Sequence, residues 1–113
     1  MSERNYLFVC SQNKLRSPTA ERIFADVPGI NTLSAGTNSN AEEPLSDDLV
    51  EWADFIFVME TAHRNKLRKR HRAALMDQRG VVLAIPDEYE FMDPDLIEIL
   101  RVKMERWLPI ATS

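Results

Sequence analysis

Three short, continuous apolar runs constrain the fold most: Tyr6-Leu7-Phe8-Val9, Phe55-Ile56-Phe57-Val58-Met59 and residues 81–85. Runs without polar alternation are the mark of strands buried on both faces. Residues 30–35 form a fourth, less strongly marked strand. Helical patterns lie between them. Ala20, Ile23, Phe24 and Val27 recur at i, i+3, i+4 and i+7, one face of a helix. Ser17-Pro18 reads as its start, Ser17 as cap and Pro18 at the first helical position, and Pro28-Gly29 stops it. Ser46-Asp47-Asp48 caps a short helix reaching about Ala53, with Leu45 placed to staple against Val50. A third helix is predicted from about Thr61 to Asp77, closed by Arg79-Gly80. Asp93-Pro94 starts a fourth, with Leu96, Ile99, Leu100, Met104 and Trp107 on its apolar face. The order βαβαβαβα predicts an α/β fold, a three-layer domain with a four-stranded parallel sheet and helices on both faces.

The 113 residues fit a single domain, 1–113, able to bury a core without covalent staples. The one cysteine, Cys10, excludes an internal disulfide framework and a cysteine-based zinc site. Three scattered glycines exclude G-x-G-x-x-G and Walker loops. The apolar runs are too short to span a membrane. The residues before Tyr6 lack the apolar region of a signal peptide. A free thiol without an export signal leads to the expectation of a cytoplasmic protein. The formal charge is −4, which argues against a general nucleic-acid binder. Six of the 14 basic residues nevertheless crowd between Arg64 and Arg72. That stretch reads as a solvated helix face, with a docking surface for an acidic or nucleic-acid partner as the lesser alternative. His63 and His71 have no third ligand at suitable spacing, so no metal site is expected; His71 reads as packing or interfacial. Trp52 and Trp107 read as core.

The chemistry concentrates in Val9-Cys10-Ser11-Gln12-Asn13-Lys14-Leu15-Arg16-Ser17-Pro18. It is C-x5-R-S between a strand end and a helix start. In parallel α/β sheets, ligands sit at the carboxyl ends of strands. Backbone amides of Ser11, Gln12, Asn13, Lys14, Leu15 and Arg16, with the helix N-terminus, can form a nest for a tetrahedral dianion. Arg16 can clamp two phosphate oxygens in a fork. Cys10 would lie beneath the phosphorus as nucleophile. Ser17 can donate a hydrogen bond to the sulfur. Asn13 tolerates left-handed backbone geometry and can pin the loop with its amide. The alternative is a buried free cysteine beside a capped helix.

The sequence resembles the low-molecular-weight protein tyrosine phosphatases, and more closely a short bacterial branch of them. Four anchors carry the resemblance nearly end to end. Residues 9–18 match the phosphate loop. Ser34-Ala35-Gly36-Thr37 matches the segment after the second strand. Asp54-Phe55-Ile56-Phe57-Val58-Met59 matches a D-x-I-x-x-M strand, and Ile85-Pro86-Asp87-Glu88-Tyr89 resembles a late aspartate loop, V-P-D-P-Y. The resemblance implies sheet order 2-1-3-4. It also implies two-step phosphomonoester hydrolysis through a cysteinyl phosphate. Cys10 would be nucleophile, Arg16 phosphate clamp and Asp87 general acid and then base, with Ser17 and Asn13 supporting the loop. Tyr89 would line the mouth and contact a substrate ring, or alternatively pack half-buried; Asp93 is the rival acid but reads as a helix cap. No metal or other cofactor is called for, because the nest and Arg16 supply the electrostatic stabilisation. The expected partners are a phosphorylated protein or small phosphomonoester, with phosphate or sulfate in the loop.

The chain departs from that pattern at three places. Gln12 stands where glycine is usual, Leu15 replaces a second cysteine, and residues 37–44 are a short loop in place of a longer insertion with a helix. That insertion contributes part of the wall beside an aromatic substrate. Two other readings are carried: a catalytically weak phosphate- or phosphoprotein-binding module, and an arsenate reductase resolved by an external thiol.

Overall fold

A computed structural model describes residues 3–75 and 79–109. The elements run β1 (Arg4–Cys10), α1 (Arg16–Phe24), β2 (Ile30–Gly36), α2 (Asp47–Trp52), β3 (Phe55–Val58), α3 (Thr61–Arg70), β4 (Arg79–Val82) and α4 (Pro94–Met104). A turn of 3-10 helix at Glu105–Trp107 extends α4. All three strand pairings are parallel, in the order β2-β1-β3-β4. The architecture is α/β, as the alternating pattern predicts. Among the described residues no helix is long and apolar enough to cross a membrane.

The pleat explains why the strands carry no polar alternation. Side chains of β1 point alternately to opposite faces. Tyr6, Phe8 and Cys10 enter one core with Phe24, Phe57, Leu96, Leu100 and Met104. Leu7 and Val9 enter the other with Val50, Ile56, Val58 and Leu67. Helices α1 and α4 therefore cover one face, and α2 and α3 the other. The first core is aromatic, with Phe8 and Phe57 stacked at 5.4 Å between centroids and both fully buried. Each such ring contributes about 1.5–3 kcal/mol by burial. Cys10, at the end of β1, belongs to this same buried cluster.

Helix α2 follows the expected cap, Ser46 accepting from the Leu49 amide at 3.2 Å. Leu45 and Val50 share the second core. Asp93 caps α4 through the Asp95 amide at 2.9 Å. Trp52 and Trp107 lie half-buried at the edges of the two cores.

Four boundaries differ from expectation. Helix α1 begins at Arg16, with Leu15 as cap residue and no side-chain cap. Ser17 lies inside the first turn because its hydroxyl is committed to the loop instead. Helix α3 stops at Arg70, and the predicted end at Asp77 lies outside the described residues. Arg79 and Gly80 do not close a helix; they pair with Phe55 and Ile56 as the start of β4. The strand predicted at 81–85 ends early, because Ala84 takes a left-handed φ of 57°. Leu83 and Ile85 still donate to Val58 and Met59 carbonyls at 2.9 Å. That bend carries Pro86 and Asp87 over the carboxyl end of the sheet.

Candidate active site

Cys10 is the last residue of β1 and is buried. The loop after it turns its carbonyls outward. The oxygens of Cys10, Ser11 and Gln12 accept from the amides of Thr37, Asn38 and Glu42 at 2.9, 3.0 and 3.1 Å. In a trans peptide the N–H points opposite to the C=O. Those three bonds therefore turn the amides of Ser11, Gln12 and Asn13 to the other side, and the start of α1 follows directly. This arrangement suits a bound anion. Asn13 has the loop's one left-handed φ, 57°, whereas Gln12, standing where glycine is usual, does not.

Ser17 is fully buried, with its hydroxyl at the centre of a small network. It lies 2.9 Å from Cys10 Sγ, accepts from Asn13 Nδ2 at 3.0 Å and has the Ala35 carbonyl at 3.4 Å. With Asn13 occupying a lone pair, the hydroxyl hydrogen has two destinations. It goes to a thiolate when Cys10 is ionised and to Ala35 when Cys10 carries its own proton.

Arg16 is buried, and its Nη1 donates to Glu60 Oε1 at 2.7 Å and to the Ile85 carbonyl at 2.8 Å. Its Nε lies 3.8 Å from Asp87 Oδ1. The hydrogen bond from Arg16 holds the Glu60 carboxyl below the usual glutamate range. The guanidinium is thus fixed from behind by Glu60, at the start of α3, and by the backbone that follows β4. Cys10, Ser11, Gln12, Lys14, Leu15, Arg16 and Asp87 line one cavity of about 150 Å³. Loop and late aspartate, separated by more than seventy residues, meet there. Tyr89 packs half-buried against the first core and is not among the residues lining the cavity. Asp93 is engaged as the cap of α4.

Two residues escaped sequence reasoning. Glu60 and His63 form a reciprocal capping box at the start of α3. The His63 Nδ1 accepts the Glu60 amide at 3.0 Å, which puts the ring proton on Nε2. That Nε2 then donates to Ser11 Oγ at 2.9 Å. Burial, followed by the charge of Arg16, lowers the His63 pKa to about 4, so the ring is neutral near pH 7. Ser11 keeps its hydroxyl hydrogen for the cavity. An E-x-x-H directly after a buried strand was the available signal.

The basic helix is also more than a solvated face. Lys66 Nζ reaches Asn38 Oδ1 at 3.4 Å and Arg70 reaches the Thr37 carbonyl at 2.9 Å. Both grip the short loop that braces residues 10–12. His71 pairs with Asp47 at 2.7 Å, joining the end of α3 to the start of α2.

No family model matches the chain. It is 23% identical to a probable low molecular weight protein-tyrosine-phosphatase, EpsP, from Ralstonia nicotianae, over 94% of both chains. Its fold matches Wzb of Vibrio vulnificus, solved in complex with benzylphosphonate, with a TM-score of 0.72 at 20% identity, covering 94% of this chain and 97% of that one. It also matches the YwlE arginine phosphatase of Geobacillus stearothermophilus, with a TM-score of 0.62 at 23% identity, over 91% and 84%.

Proposed function

We propose that this chain, which has the fold of the low-molecular-weight protein tyrosine phosphatases, hydrolyses aryl phosphomonoesters through a cysteinyl phosphate. The observation that carries the reading is Cys10 Sγ, 2.9 Å from Ser17 Oγ, in one cavity with Arg16 and Asp87. A phosphate dianion seated on the loop amides would lie over the sulfur, with Arg16 beside it. The thiolate attacks phosphorus as the bond to the leaving oxygen breaks, and Asp87 gives that oxygen its proton. Water then attacks the cysteinyl phosphate, giving its proton to the Asp87 carboxylate. The P–S bond breaks to release phosphate and regenerate the thiolate, which accepts the Ser17 hydrogen bond. Preorganised donors aimed at developing charge supply the main stabilisation. A binding module would have no need of a nucleophile or an acid at these positions. With Cys10 the one cysteine, an arsenate reductase would depend on an external thiol to resolve its adduct.

The test is turnover of phenyl phosphate, a phosphotyrosine peptide and a phosphoarginine peptide by wild type and Cys10→Ser. Release of phosphate from the first two, lost in the variant, is expected. Turnover of phosphoarginine alone would overturn the aryl-ester reading. Turnover surviving in Cys10→Ser would overturn the mechanism.

A further inference from the structure

We propose that Lys14 selects phosphomonoesters that carry a second anionic group a few bonds from the scissile phosphate. The inference rests on the phosphatase reading and adds a substrate class to it. Lys14 is exposed and lines the cavity with Arg16 and Asp87. It makes no ion pair with any described residue, while Asp87 lies in ion-pair range of Arg16 instead. The phosphate itself is provided for by the loop amides and Arg16. The charge of Lys14 is therefore surplus to the dianion, on a flexible stem at the rim.

The rest of the rim supports the same conclusion. The side chains lining the cavity with Lys14 include Gln12, Leu15 and Asp87 but no aromatic ring. With Tyr89 held against the core, stacking on a substrate ring has no partner among these residues. Beyond the phosphate, charge is what remains for discrimination. The recognised chemistry is a carboxylate or a second phosphate. It can come from an acidic residue beside a phosphorylated side chain or from a small bisphosphate.

The experiment compares kcat/KM for 3-carboxyphenyl phosphate and phenyl phosphate in wild type, Lys14→Met and Lys14→Glu. A meta carboxylate changes the acidity of the leaving phenol little, so the ratio reads charge recognition. Exposed ion pairs are individually weak, so a wild-type ratio of about three to five is expected. It should reside mainly in KM and shrink at high salt as screening grows. The ratio should approach one in Lys14→Met and fall below one in Lys14→Glu. Lys69→Met, on the exposed side of α3, should keep the wild-type ratio. Affinities for benzylphosphonate and its 3-carboxy derivative, measured by calorimetry, repeat the comparison without turnover. A phosphotyrosine peptide with flanking Glu or Ala, and a phenylene bisphosphate, identify the source by which preference Lys14→Met abolishes. A ratio near one in wild type, or one unchanged in Lys14→Met, overturns the role of Lys14 while turnover stands. Charge-dependent binding without turnover supports it and overturns the phosphatase reading alone.

Discussion

The guanidinium of Arg16 is held by Glu60, 2.7 Å from Nη1, before any anion arrives. One face of the fork is committed to Glu60 and the Ile85 carbonyl, and the remaining donors stay for a ligand. Pre-organisation of this kind lowers the ordering cost of binding. Removing Glu60 should free the side chain. A hydrogen bond to a charged group is worth about 1.5–3 kcal/mol, which corresponds to roughly 10–100-fold. Glu60→Ala should lower kcat/KM for phenyl phosphate within that range and weaken phosphate inhibition in parallel. Glu60→Gln, which keeps an acceptor, should lose less. Unchanged phosphate inhibition in Glu60→Ala would show that Arg16 needs no such hold.

Nucleophile and clamp should separate in binding measurements. Cys10→Ser should abolish turnover yet still bind phosphate or vanadate, because the amides and Arg16 remain. Arg16→Ala should weaken that binding as well. Calorimetric titration with phosphate distinguishes the two.

Asp87 shares the cavity with Cys10, whereas Asp93 caps α4. A general acid contributes ~10²–10⁴-fold to rate. Asp87→Asn should lower kcat for phenyl phosphate within that range, with a smaller loss for esters of acidic phenols, whose leaving oxygen needs no proton. Asp93→Asn should leave the chemistry nearly intact, since Asn caps helices well. The dependence of kcat on leaving-group pKa checks both. A steeper dependence in Asp93→Asn alone would reverse the assignment.

His63 makes stability depend on pH. Its pKa is about 4 folded, against an ordinary value of 6.5. The neutral ring therefore contributes fully above pH 6.5, and the contribution is lost as pH falls from 6.5 to 4. Two and a half pKa units correspond to about 3 kcal/mol. Urea unfolding from pH 7 to 5 should show most of that loss, before carboxylates titrate in number. His63→Asn should flatten the slope across that interval. An equal slope in both proteins would exclude His63 as its source.

Gly36 touches the loop too closely for any side chain. A Cβ there would lie 2.5 Å from the Ser11 carbonyl oxygen and from Ala41 Cβ. The Ser11 oxygen is backbone and fixed by Asn38, so the loop must shift. Overpacking of this kind costs about 1–3 kcal/mol. Gly36→Ala should lower the unfolding midpoint accordingly and also reduce phosphate affinity, because the strain falls on the amide nest. Normal phosphate affinity in a destabilised variant would place the strain on Ala41 instead.

Much of this molecule was decided locally. Unbroken apolar runs such as Phe55–Val58 require burial on both faces, and that requirement imposes a parallel sheet between helix layers. The C-x5-R-S spacing places a cysteine at a strand end and an arginine at a helix start, and the left-handed φ of Asn13 agrees with its residue type. Other features were settled by partners distant in sequence. Ser17 reads as a cap in isolation, yet its hydroxyl goes to Cys10 and Asn13, leaving α1 to start at Arg16 without it. Arg79 and Gly80 look like a helix stop and instead pair with β3, because a backbone next to an open strand gains a ladder of hydrogen bonds. Glu60, His63, Lys66 and Arg70 look like an ordinary polar helix face. Only the docking of α3 beside β3 brings them to Arg16, Ser11, Asn38 and Thr37. Periodicity reports which side of an element is buried; it carries no information about which polar groups from other elements will stand opposite the rest.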